Sequence, residues 1–113
     1  MSAKFNLTCD QATTFNFQFQ IKNDTVPWNL AGYTGVMTVR PFVGSTTTTL
    51  VASTDNGYMV LSQGDGRVNV TVPATVTEDI ASGRYVYDLV LDSGGTVTRI
   101  LEGKFVVTGA VTT

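Results

Sequence analysis

The fold class is decided by the stretch that reads SGRYVYDLVL over residues 82–91, DSGG over 92–95 and TVTRILEGKFVV over 96–107. Two runs rich in β-branched and aromatic residues flank a short glycine turn, which is the pattern of a β-hairpin. In the first run Tyr85, Tyr87, Leu89 and Leu91 share one face of a strand, and the opposite face is also partly apolar. This stretch predicts a β scaffold and contains no visible reaction chemistry.

Strand patterns precede this hairpin along the rest of the chain. Residues 15–22 alternate aromatic or aliphatic side chains with Asn, Gln and Lys, which predicts a half-buried strand. Further strands are predicted over residues 5–9, 33–40, 46–54, 58–61 and 67–72, and a short helix over 74–80, where Thr75 and Glu78 have capping-box spacing. Short strands with turn signals at this spacing predict one all-β domain over residues 1–113, an antiparallel β-sandwich with one short connecting helix.

The predicted core consists of apolar side chains on the inward faces of these strands. Its members are Phe15, Phe17, Phe19, Ile21, Met37, Val39, Val70, Tyr87, Leu89, Leu101 and Phe105. A glycine inside the last strand, Gly103, predicts a bulge or a close backbone approach.

Composition excludes several partners. The 113 residues include 14% charged side chains, well below the roughly 25% of a typical soluble protein. A net charge of −2 with scattered basic residues argues against binding of nucleic acid or an anionic membrane surface. No stretch approaches the ~18 apolar residues of a transmembrane helix. Residues 1–6 lack the apolar core of a signal peptide, so we expect synthesis in a cytoplasm without export by that route.

The sequence contains few residue combinations that could form a catalytic site. The chain contains no histidine, which excludes Ser-His-Asp triads and His-ligated zinc. Cys9, the one cysteine, is expected to be a buried strand residue. Asp88 and Glu102 lie on the two hairpin strands, where Arg84 and Arg99 favour cross-strand ion pairs over acid–base work. We expect no enzymatic activity, no cofactor and no metal.

Two candidate interaction sites remain. The strand predicted from residue 46 has a polar start and an edge with little protection by charge, so we predict protein contacts there, at Thr46, Thr47, Thr48, Thr49, Leu50 and Ala52. Self-association is expected through this edge and through residues 1–4 and 109–113. The alternative is a platform on which Trp28, Tyr33 and Tyr58 stack a host glycan, although such aromatics more often fill the core and ends of a sandwich.

The order of motifs carries a family resemblance. FNLTCDQATTF (5–15) is followed by WNLAGYT (28–34), GRVNV (66–70), a short predicted helix, GRYVYDL (83–89) and TRILEG (98–103). In this order the chain resembles the small immunoglobulin-like β-sandwich proteins among the virion structural proteins of tailed bacteriophages, and it is similar to the amino-terminal domain of some baseplate proteins.

The resemblance implies an immunoglobulin-like fold and a non-enzymatic virion protein, made in the host cytoplasm and located in the virion. Its partners would be other virion proteins, and it would form a homo-oligomer or a multi-copy lattice, without nucleic acid or membrane. The sequence shows no counterpart of the family's long fibre or receptor-binding extension, so we expect an adaptor, or a cement on another virion protein, more than a receptor-binding role. The first choice is a tail or baseplate adaptor or fibre-attachment subunit. A capsid decoration protein is the alternative, and a host-glycan-binding module is a further one.

Overall fold

The computed structural model describes residues 3–23, 26–62 and 64–109, and in these ranges the chain is all-β with one short helix. The first strands are β1 (Ala3–Lys4), β2 (Leu7–Asp10), β3 (Phe15–Gln20), β4 (Lys22–Asn23), β5 (Val26–Pro27) and β6 (Tyr33–Arg40). The later elements are β7 (Leu50–Ser53), β8 (Met59–Ser62), β9 (Arg67–Val72), α1 (Ala74–Thr77), β10 (Gly83–Ser93) and β11 (Thr96–Thr108).

The larger sheet has the order β1-β11-β10-β6-β7, and β2 pairs with β11 beyond β1. The predicted hairpin is present as β10 and β11, and β10 also pairs antiparallel with β6. The prediction of a purely antiparallel fold is wrong at one edge, because β1 and β2 both run parallel to β11. Side-chain alternation is the same in parallel and antiparallel strands, so the sequence pattern did not reveal this direction.

The smaller sheet has the order β3-β9-β8 and is antiparallel throughout. Its inward face shares one apolar core with the larger sheet. Eight predicted core residues are confirmed as buried: Phe15, Met37, Val39, Val70, Tyr87, Leu89, Leu101 and Phe105. Phe17, Phe19 and Ile21 are only partly buried, because β3 has a neighbouring strand on one side and the sheet ends there.

The single cysteine lies in the core, as expected. Cys9 on β2 is 1% exposed. Burial raises the pKa of its thiol, and the neighbouring carboxylate of Asp10 raises that pKa further. The thiol is therefore held in its neutral, weakly nucleophilic form.

The helix is shorter than predicted and its cap differs. It covers Ala74–Thr77 with Pro73 at the N-cap position, and no side chain caps it, so the capping box of Thr75 and Glu78 is wrong. Thr77 instead is fully buried and its hydroxyl donates to the carbonyl oxygen of Thr13 at 2.7 Å. This bond ties the helix to the turn before β3 and makes packing, rather than capping, the determinant of the helix position.

The last strands contain both a bulge and a close backbone approach, the two alternatives predicted for Gly103, but at different residues. The bulge between β10 and β11 lies at Ile100, which the pairing skips between Leu89↔Leu101 and Val90↔Arg99. Gly103 itself is the site of the close backbone approach, which confirms that alternative of the prediction, because a Cβ atom there would overlap the carbonyl group of Phe5. The absence of a side chain at Gly103 lets the N-terminal segment lie against β11.

Candidate interaction surface

A groove of about 490 Å³ lies on the outer face of the larger sheet. Strands β6, β10 and β11 form its floor, and the connection after β6 forms one wall. We call it the basic groove; its charged members are Lys4, Arg40, Asp88, Arg99, Glu102 and Lys104.

Strand register explains why these side chains meet. Val86 on β10 pairs with Arg40 on β6 and with Lys104 on β11. Two residues further along β10, and so on the same face, Asp88 pairs with Glu102. Paired residues in neighbouring strands carry their side chains on one face of a sheet, and this aligns charges such as Arg40 and Lys104, which lie 64 positions apart in the sequence.

The groove carries a charge opposite to that of the chain. Four of the 7 Lys and Arg residues line it, but only two of the 9 Asp and Glu residues do, so its formal charge is positive although the chain carries −2. Arg99 Nε lies 3.5 Å from Asp88 Oδ2, which confirms the predicted cross-strand pair. Lys4, Arg40 and Lys104 form no ion pair with another described residue. The groove therefore favours an anionic partner.

The wall of the groove also presents apolar surface. Phe42 is 62% exposed and Val43 is 85% exposed, and both line the groove beside half-buried Val86. Exposed aromatic and aliphatic side chains next to arginine are typical of protein interfaces. This combination suits a protein segment that carries acidic residues and an apolar side chain.

The N-terminal segment is fixed as the other wall. The hydroxyl of Tyr87 donates to the carbonyl oxygen of Phe5 at 2.6 Å, and the backbone N–H of Lys104 donates to Asn6 Oδ1 at 3.1 Å. Burial raises the pKa of Tyr87 to about 12, which keeps this hydroxyl a donor. Lys4 therefore directly precedes two residues, Phe5 and Asn6, that are hydrogen-bonded to β10 and β11.

The predicted protein-contact residues lie elsewhere, on the connection to β7 and on β7 itself. Thr46, Thr47 and Thr48 are exposed, and the strand begins at Leu50 instead of at residue 46. The side chains of Leu50 and Ala52 are buried in the core, so they offer no surface to a partner.

The outer edge of β7 is closed by a side chain. The pairing of β7 with β6 leaves the backbone groups of Val51 and Ser53 facing outward. Asn56 Nδ2 donates to the carbonyl oxygen of Val51 at 2.8 Å, and the N–H of Ser53 donates to Asn56 Oδ1 at 3.0 Å. One amide thus occupies two groups that an added strand would need.

The three aromatic residues of the glycan alternative are all half-buried. Trp28, Tyr33 and Tyr58 pack against the core. The ring pairs between described residues involve phenylalanines and Tyr87, and none joins two of these three rings.

The basic groove was missed by sequence reasoning. Its basic residues are scattered at positions 4, 40, 99 and 104, and only the strand pairing brings them together. The hairpin pairing of Val86 with Lys104 was the one signal that a register argument could have used.

Among the described residues, no group of three or more Cys, Asp or Glu side chains is placed to hold a metal ion. No helix within those ranges is long and apolar enough to cross a membrane. Comparison of the chain with protein-family models and with curated proteins finds no match.

Proposed function

We propose that this protein is a non-enzymatic structural subunit of a tailed-bacteriophage virion, an immunoglobulin-like domain that attaches to other virion proteins in the tail or baseplate. The order of sequence motifs supports the virion assignment by resemblance. The order of the strands supports the immunoglobulin-like part of the proposal, and the basic groove supports the binding of another protein.

Sheet order supports the immunoglobulin-like assignment. In that fold one sheet contains strands in the order G-F-C, extended by C′ in the variable type, and the other contains B-E-D. Here β11-β10-β6-β7 corresponds to G-F-C-C′ and β3-β9-β8 corresponds to B-E-D. The helix α1 then lies in the E–F connection.

A hydrogen bond at the start of β10 supports the same assignment. Immunoglobulin-like domains commonly have a tyrosine near the start of strand F whose hydroxyl bonds to the backbone a few residues upstream. Tyr85 lies two residues after the start of β10, and its hydroxyl donates to the carbonyl oxygen of Ala81 at 2.6 Å. Tyr87, two residues later, is buried where antibody domains have a cysteine.

The observation that carries the binding role is the basic groove. Its three cations without an ion-pair partner among the described residues, Lys4, Arg40 and Lys104, surround a sheet face next to exposed Phe42 and Val43. Charge complementarity favours an acidic, extended segment of a neighbouring virion protein as the occupant. Nucleic acid is disfavoured, because Asp88 and Glu102 lie on the same floor and the chain is acidic overall.

Quantitative mass spectrometry of gradient-purified virions tests the proposal. The expected result is the chain in a fixed copy number per particle, in a ratio to known tail proteins that stays constant across the gradient. A copy number that scales with the major capsid protein would support the capsid-decoration alternative. Abundance in infected cells without any trace in purified particles would overturn the virion assignment.

A further inference from the structure

The strand β3 has the longest edge that no described strand covers. It is six residues long and pairs only with β9, whereas the other described strands at sheet edges (β1, β2, β4, β5, β7 and β8) have two to four residues. Exposed strand edges are sites at which another chain adds a strand.

The direction of the backbone groups of β3 follows from its pairing. The N–H of Ile21 donates to the carbonyl oxygen of Gly66 at 2.7 Å, a bond that flanks the last residue pair of β3 and β9. The backbone groups of Gln20 therefore point away from β9, and the alternation of an antiparallel ladder extends this to Gln18 and Asn16. Three residues thus offer their N–H and C=O groups along one open edge.

Nothing in β3 protects that edge. Native edges are usually protected by charged side chains, proline or a bulge. The strand reads FNFQFQ without charge or proline, and its register with β9 is unbroken. Asn56 protects β7, but no described side chain occupies the outward groups of β3 in the same way.

We propose that β3 pairs with β3 of a second copy of this chain, antiparallel about a two-fold axis at Gln18. In this register Gln18 lies opposite Gln18 of the second copy, and Asn16 lies opposite Gln20. The residues whose N–H and C=O groups point away from β9 in one copy are therefore paired with the same kind of residue in the other copy. The smaller sheets of two copies would then form one six-stranded sheet. The inference deepens the proposed function by naming one contact through which copies associate.

Side-chain chemistry is self-complementary in this register. On one face, amides meet amides; on the other, Phe17 lies opposite Phe19 of the second copy. Phe17 and Phe19 are half-buried with ring centroids 5.4 Å apart, and Phe5, which is 50% exposed, stacks on Phe17 at 5.7 Å. Pairing would cover these rings on both copies, and no like charges meet along the strand.

Cysteine cross-linking tests the register. In Gln18→Cys the two thiols would lie on directly paired residues, whose Cα atoms are about 5.5 Å apart in such a ladder and within disulfide range. The matched control is Asn16→Cys, an exposed residue on the same face whose symmetry mate lies four positions out of register. Mild oxidation should join Gln18→Cys into a covalent dimer and leave Asn16→Cys monomeric; equal cross-linking of both, or of neither, would overturn the proposal.

A second variant tests the affinity. Proline at residue 18 removes the backbone N–H of that residue, which forms no hydrogen bond with β9. We therefore expect the fold to be retained, while the pairing with β3 of the second copy loses one hydrogen bond. We expect sedimentation equilibrium to show a dimer for the natural chain and an increase of about tenfold or more in the dissociation constant for Gln18→Pro. If the natural chain stays monomeric at millimolar concentration, the pairing through β3 is refuted, but the virion assignment is not affected. If the chain dimerises through β3 but is absent from purified particles, only the virion assignment is refuted.

Discussion

Asn56 Nδ2 donates to the carbonyl oxygen of Val51 at 2.8 Å, and this bond holds a loop amide against the outer edge of β7. Asn56 Oδ1 also accepts from the N–H groups of Ser53 and Tyr58, each at 3.0 Å. The amide reproduces the two contacts that a residue of a neighbouring strand would make at alternate positions. Two outward backbone groups at this edge of the larger sheet are therefore already bonded within the chain, whereas no described side chain bonds to the outward groups of β3 in this way.

Replacing Asn56 by Ala is expected to open that edge. The variant loses three side-chain hydrogen bonds, and we expect a loss of about 1–2 kcal/mol in the free energy of unfolding, measured by urea denaturation. Amide hydrogen exchange should become faster at Ser53 and Tyr58. Asn16→Ala is the control, because the Asn16 side chain makes only a 3.4 Å contact with Thr71. Equal stability of the two variants would contradict the closing role of Asn56.

The hydroxyl of Tyr85 is expected to stabilise the turn into β10. Tyr85→Phe removes its bond to the carbonyl oxygen of Ala81 and should lower the free energy of unfolding by about 0.5–1.5 kcal/mol. Tyr33→Phe is the matched control, since no hydrogen bond of the Tyr33 hydroxyl to a described residue is seen and its ring is also half-buried. If both substitutions change the midpoint of thermal unfolding equally, the corner bond contributes nothing.

Stability is expected to fall in alkaline solution because of Tyr87. Burial raises the pKa of this phenol from 10.0 to about 12. Between these values the unfolded chain releases the proton while the folded chain retains it, so the free energy of unfolding decreases as the pH rises. Below pH 10 the Tyr87 phenol is protonated in both the folded and the unfolded chain, so its contribution to the free energy of unfolding is fully retained. An ultraviolet difference titration should show one of the 4 tyrosines ionising last, and that late step should vanish in Tyr87→Phe.

Gly103→Ala is expected to displace the N-terminal segment. The new Cβ would overlap the backbone carbonyl of Phe5, and relieving such an overlap typically costs about 1–3 kcal/mol. Loss of the bond from Tyr87 to Phe5 should speed exchange at the N–H of Phe5, which donates to β11. Gly64→Ala is the control, because nothing lies within 4 Å of its Cβ position. Unchanged exchange at Phe5 would show that this close approach is not required.

The strand elements were largely predictable because their signals are local. Alternation located β3, β6, β9, β10 and β11, and the glycine turn located the hairpin. The strand predicted from residue 46 begins only at Leu50, because threonine favours strands but residues 46–48 have no neighbour to pair with. Strand direction, by contrast, leaves no local signal, and the parallel pairing of β1 and β2 was missed for that reason.

The basic groove could not be predicted from the sequence either, because it depends on which strands are neighbours in the sheet. Arg40 and Lys104 come together only through their shared partner Val86, which requires the pairing of both β6 and β11 with β10. The predicted protein contact at the edge of β7 stays a prediction, but the contact of Asn56 with that edge was not foreseen. The sequence shows that β7 carries no charge, but it does not show that Asn56 folds back onto it.

Zero-length carbodiimide cross-linking of intact purified virions tests the central claim most directly, because it joins lysine amines only to carboxylates in contact. We predict that Lys4 or Lys104 in the basic groove becomes linked to an Asp or Glu of a different virion protein. Lys22, outside the groove, is the internal control and should remain unlinked to that segment. Virions that contain no copy of this chain, or in which the groove lysines have no carboxylate partner from another protein, would contradict the account.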